Sequence, residues 1–135
     1  MSILDSRLLV LSVTMFVSLS CHSKWESFRV EGNFTEYFEL ESIKKINNFI
    51  YIWSMIDYET PQKDGILSTK YYSKYDCNLK RFKIISIIDY KTKKGRGRNF
   101  EYKKNLKNES SDSDWSYPSV ESKDYTKIKF ICGTQ

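Results

Sequence analysis

The side chains able to act as nucleophile, base or metal ligand are few. There are three cysteines (Cys21, Cys77 and Cys132), one histidine (His22) and scattered carboxylates. A Ser or Cys nucleophile of the usual kind needs a neighbouring base, and zinc needs a cluster of His, Cys or carboxylate ligands. His22 stands alone near the N-terminus, so neither arrangement is supplied. Asp112 and Asp114 sit in the polar stretch NESSDSD, which reads as a solvated loop rather than an acid pair. No glycine-rich phosphate loop is found. An enzyme is not expected, nor is a cofactor or a metal site.

The strongest charge feature is a run of cations. Between positions 91 and 107, eight Lys or Arg stand against Glu101 alone, a local net charge of +7 where the whole chain carries +5. Its centre, KTKKGRGR, reads as a hairpin tip projecting Lys91, Lys93, Lys94, Arg96 and Arg98 together, with two glycines letting the backbone turn. Such a patch attracts polyanions: glycosaminoglycan, lipopolysaccharide phosphate or anionic host proteins. The plainer alternative is a solvated hairpin whose lysines keep a sheet edge soluble. Rings and cations also interleave at Lys70, Tyr71, Tyr72, Lys74 and Tyr75. Exposed rings stack on sugars or bases, but Tyr71 and Tyr75 read more simply as core or cross-strand pairs. Trp25, Trp53 and Trp115 likewise read as core.

The N-terminus points to export. Leu8 to Ser20 is an uncharged run of 13 residues, with Arg7 ahead of it and small residues behind. A bilayer span takes about 20 residues, whereas this length suits the apolar centre of a secretory signal. Residues 1–23 are therefore expected to be a signal peptide and residues 24–135 the folded domain. Two cut sites compete. Cleavage before Cys21 makes it the lipidated first residue of a lipoprotein; cleavage after Ser23 discards it. Either cut leaves Cys77 and Cys132 as an even pair in an exported chain, where a disulfide is permitted. Two separately buried thiols are the alternative. Export also argues against nucleic acid as a partner.

A β-rich domain must position these residues. The 135-residue chain has room for one domain, and it holds 21 aromatics and 13 Ile but no alanine, the best helix former. Strands are expected over Trp25 to Val30, Thr35 to Leu40, Phe49 to Ile56, Ser68 to Cys77, Arg81 to Tyr90 and Arg98 to Lys104. The third is almost wholly apolar, as in a strand covered on both faces. In the fourth, Thr69, Tyr71, Ser73, Tyr75 and Cys77 share one face by period two; in the fifth, Phe82, Ile84, Ile88 and Tyr90 do. From Val120 to Cys132 the apolar spacing fits either a helix or a strand, with Pro118 and Glu121 favouring the helix.

The order of spaced residues resembles the surface-adhesin protein E family of small exported bacterial proteins. It comprises Trp25, YFELESI over 37–43, the strand ending Trp53 to Tyr58, Tyr75-Asp76-Cys77 with Arg81, Tyr90, Gly95, Trp115 with Pro118-Ser119, and the closing Cys132. Glu39 replaces the expected Asp, and Ser119 follows Pro118 without an intervening Gly. The resemblance implies an α+β fold: a curved antiparallel sheet of about six strands, with a C-terminal helix packed on one face and tethered by a Cys77–Cys132 disulfide. It further implies a cell-surface or periplasmic location in a Gram-negative bacterium, with a lipid anchor in the outer membrane if Cys21 is lipidated. The implied partners are host extracellular-matrix or serum proteins, or polyanions, and a homodimer is one assembly it allows. The rival reading is a periplasmic or outer-membrane accessory protein with no host ligand.

Overall fold

The computed structural model describes residues 24–97, 99–102 and 114–134. The expected signal peptide, Cys21, His22, Arg98 and Asp112 lie outside the described residues. The chain runs as a meander: β1 (Trp25–Glu31), β2 (Phe34–Ile46), β3 (Phe49–Tyr58), β4 (Ser68–Asp76), β5 (Arg81–Tyr90) and β6 (Asn99–Tyr102), followed by helix α1 (Lys123–Gly133). All neighbours pair antiparallel in chain order. Five strands of 7 to 13 residues carry the sheet, and β6 is a four-residue edge segment. Of the sixth expected strand, Arg98 to Lys104, residues 99–102 are described and form β6.

One helix seals one face. Ile128 and Ile131 of α1 are fully buried against Phe38, Ile50, Ile52 and Tyr75, with Phe28 and Phe82 packed at the margin. Phe130 lies against Phe28 and Phe38, with ring centroids 5.0 and 5.7 Å away. The helix starts at Ser122, whose Oγ accepts the Tyr125 N–H at 3.1 Å, satisfying an otherwise orphaned donor. Tertiary burial settles the helix-or-strand ambiguity, because an 11-residue helix is marginal by itself.

Two covalent and ionic ties hold α1 in place. The Cys77–Cys132 disulfide joins the end of β4 to the last turn of the helix across a sequence separation of 55. A loop of that size contributes about 4 kcal/mol in the chain-entropy model. Near the other end, buried Glu36 of β2 meets Lys127 of α1 and, at 2.9 Å, the Arg29 Nη2 of β1.

Irregularities in the ladder explain what the motif residues do. Between Glu39 and Lys44, β2 bulges away from β3. Ser42 repairs the gap: its Oγ donates to the Glu39 carbonyl at 2.7 Å and accepts the Trp53 N–H at 3.0 Å. Asp76 caps the turn that carries Cys77, its Oδ1 accepting the N–H groups of Asn78 and Leu79 at 3.1 Å each. Its Oδ2 accepts Arg81 Nε–H at 3.0 Å. In β5 an extra residue intervenes, since Ser73 pairs with Ile84 but Tyr71 with Ile87. The phase therefore changes. Phe82, Ile84 and Ile87 look towards the helix, while Ile88 and Tyr90 look the other way, so the expected single face of Phe82, Ile84, Ile88 and Tyr90 is split by a bulge.

Asp76 generates a pH prediction. Burial pushes its carboxyl upward, but the Leu79 N–H, Arg81 and the Asn78 N–H outweigh that and leave it below the ordinary carboxylate range. A lowered folded-state value contributes stability above the unfolded pKa, which is lost as pH falls through the folded one. Asp76→Asn should therefore lower stability by about 1–3 kcal/mol at pH 7. In urea melts from pH 7 down to pH 2, the difference from wild type should shrink as the wild-type carboxyl protonates.

Candidate functional site

Among the described residues, no helix lies over the face opposite α1. Strand register lays its side chains out in rows across the sheet. One row runs Trp25, Glu39, Trp53 and Tyr72; the next runs Ser27, Tyr37, Met55, Lys70 and Ile88; a third runs Thr35, Asp57, Ser68 and Tyr90. On the other side of the Trp row lie Tyr51, Lys74 and Lys83. All three tryptophans are half-buried on or beside this face, and none belongs to the core under the helix.

The basic segment does not project. After β5 the chain folds back over the open face and makes a one-turn 3-10 segment at Lys93–Gly95. Buried Asp57 captures it: Oδ1 accepts the Lys94 N–H at 2.7 Å, and Oδ2 lies 3.7 Å from Lys94 Nζ. Ser68, fully buried, donates from Oγ to the Thr92 carbonyl at 2.6 Å and accepts the Gly95 N–H at 2.9 Å. Lys94 Nζ also contacts the Tyr37 hydroxyl and lies 4.1 Å from that ring's centroid. Lys93 Nζ reaches Glu59 Oε2 at 3.1 Å. The expectation of a freely projecting hairpin is corrected on this point. A buried carboxylate and a buried hydroxyl require partners, and the tip supplies them.

Of the five cations singled out in the sequence, Lys91, Lys93, Lys94 and Arg96 are exposed at this tip, and Arg98 lies outside the described residues. They do not act alike. Lys94 is committed to buried Asp57 and Lys93 makes an exposed pair with Glu59, while Arg96 looks into a cleft of about 770 Å³ between the tip and β1. Lys24, Trp25, Glu41, Met55 and Lys70 form its other walls.

A second cationic cluster lies across the Trp row. Lys74 Nζ is 4.0 Å from the Phe49 ring centroid, and Arg81 Cζ is 4.2 Å and Lys83 Nζ 5.1 Å from that of Trp115. Trp115 reaches this position because Ser116 exchanges backbone hydrogen bonds with Phe82 at 2.8 and 3.1 Å. Ring faces attract such cations, and Arg81 is also paired with Asp76. Asp57 and Ser68 escaped the sequence reading. The available signal was a carboxylate closing an otherwise apolar strand, Trp-Ser-Met-Ile-Asp, which demands a buried partner.

Together these features define a small disulfide-clamped α+β domain, closed by a helix on one sheet face and lined with rings and cations on the other. The chain belongs to the surface-adhesin protein E family, which matches residues 25–133. Its fold is similar to that of Haemophilus influenzae protein E in crystal form II. The TM-score is 0.56 and the identity 16%, covering 78% of this chain and 91% of that one. No curated protein sequence matches the chain.

Gly95 tests the docked tip. Its φ is +59°, and a Cβ there would lie 2.4 Å from Lys70 Cε and 3.2 Å from Met55 Sδ. Gly97 also has positive φ, +79°, but a Cβ there meets nothing nearer than 3.4 Å. Left-handed backbone costs a non-glycine residue about 1–2 kcal/mol. Both Gly95→Ala and Gly97→Ala should lose that much in thermal melts, and Gly95→Ala should lose more, the excess reporting the contact with the sheet.

Proposed function

We propose that this protein is an exported bacterial surface domain that binds host extracellular-matrix or serum proteins through the open face of its sheet, and that it is not an enzyme. The observation that carries this reading is the cation–aromatic face that α1 leaves uncovered. Family membership supports a surface location, and the uncharged run over Leu8 to Ser20 supports export by a signal peptide. In this reading residues 1–23 are removed, or Cys21 is lipidated and anchors the domain in the outer membrane. Lys91, Lys93 and Arg96 are the tip cations that meet the anionic partner; Lys94 instead holds the tip to the sheet.

A second reading has its own observation. Lys93 and Lys94 are already paired with Glu59 and Asp57, as expected of a structural edge in a periplasmic or outer-membrane accessory protein.

Two measurements separate them. Protease shaving of intact cells should cleave the protein, and protection until the outer membrane is broken contradicts the surface reading. Binding of the purified protein to immobilised matrix and serum proteins should fall at least tenfold between 0.05 and 0.5 M salt, as the screening length contracts from about 14 to about 4 Å. Neutralising Lys91, Lys93 and Arg96 together should lower low-salt binding by a similar factor and leave the melting temperature within a few degrees, because these side chains are exposed.

A further inference from the structure

The cleft beside the folded-back tip has a composition that specifies more than negative charge. Its volume of about 770 Å³ continues into a hollow of about 250 Å³ along Trp53 and Ile88, with Trp25 and Lys70 lining both. Small-ligand sites span roughly 300–1,000 Å³. Trp25 and Trp53 stand on the same face two strands apart, with Glu39 between them in the row. Strand spacing puts these indoles about 10 Å apart.

The charges are mixed. Lys70 Nζ lies over the rings of Trp25 and Tyr90, 5.4 and 5.1 Å from their centroids. Among the described residues it meets no carboxylate, and neither does Arg96 across the cleft. Lys94 and Lys24, by contrast, face Asp57 and Glu26. Glu41 lines the cleft and Glu39 the hollow. Both carboxylates oppose a densely charged chain, and Glu41 is a suitable acceptor for hydroxyl groups. Two cations seek one anion, two indoles offer apolar plates, and Glu41 accepts hydroxyl protons.

We propose that this cleft binds a carboxylated pyranose, a uronic- or sialic-acid unit of a glycan. The sugar's C–H face lies on Trp25 or Trp53, its carboxylate between Lys70 and Arg96, and its hydroxyls towards Glu41. Charge-assisted hydrogen bonds to the carboxylate supply the preference over neutral sugars, and stacking supplies the preference over acidic peptides. This rests on the open face being the binding surface, and it names the chemical class that the face selects.

Titration of the purified protein by intrinsic tryptophan fluorescence and calorimetry tests it, with 3′-sialyllactose, a hyaluronan hexasaccharide, lactose and poly-glutamate as probes. Sialyllactose or the hyaluronan fragment should bind at least tenfold tighter than lactose; whichever does so identifies the acid as sialic or uronic. Trp25→Ala should weaken that binding about tenfold. Arg96→Gln, at an exposed position that leaves the fold intact, should narrow the advantage over lactose severalfold. Lys123→Gln, on the helix side, should change nothing. Equal binding of lactose and the acidic sugars, or binding of neither acid, overturns the assignment. Poly-glutamate binding as tightly as the sugars, with Trp25→Ala without effect, also overturns it; the cationic face would then remain a protein-binding surface, as the salt-dependence experiment separately measures.

Discussion

The fold depends on docking one short helix onto a sheet far wider than itself. Helix α1 is tied at its C-terminal end by the Cys77–Cys132 disulfide and along its length by Lys127 against buried Glu36. Removing Glu36 costs several kcal/mol, because Lys127 and Arg29 then face each other without their shared carboxylate. The Glu36 pair therefore specifies where the helix sits more than it adds stability. Ile128 and Ile131 then complete the core. Because α1 covers only one side, the second face must find other cover or remain open.

The chain covers part of that second face with its own basic tip. Cations are an unlikely lid for a sheet until their partners are counted. Asp57 holds the Lys94 backbone and faces its ammonium group, Glu59 takes Lys93, and Tyr37 offers a ring to Lys94. Gly95 lets the turn lie close to Lys70 and Met55. What the described residues leave uncovered, between Trp25, Trp53 and Arg96, is neither an apolar patch that would aggregate nor a uniformly charged surface. It is a walled cleft on the sheet, and this mixture is what supports the binding role proposed for the face.

Much of this was legible in the sequence. Alternation placed Thr69, Tyr71, Ser73 and Tyr75 on one face of β4, and the apolar run of β3 announced a central strand. The matched motif anticipated the disulfide and the helix, and the structure supplies the reasons: Asp76 caps the Cys77 turn, and Ser42 bridges a bulge. The phase of β5 was not legible, because one inserted residue reverses every later side chain and leaves no mark in an Ile-rich run. Nor was the tip's position. A glycine–lysine turn reads as solvent-exposed unless the buried carboxylate waiting for it, 37 residues earlier at Asp57, is known to lie beneath.

Native-state amide hydrogen exchange at Lys94 and Gly95 tests the docked tip most directly. Both N–H groups are donated to buried acceptors, at 2.7 Å to Asp57 and 2.9 Å to Ser68. They should exchange roughly a hundredfold or more slower than in an unstructured peptide, and Asp57→Asn should release the Lys94 amide more than its neighbours in β5. Exchange of both amides at the free-peptide rate in the wild-type protein would put the tip in solvent and contradict the account.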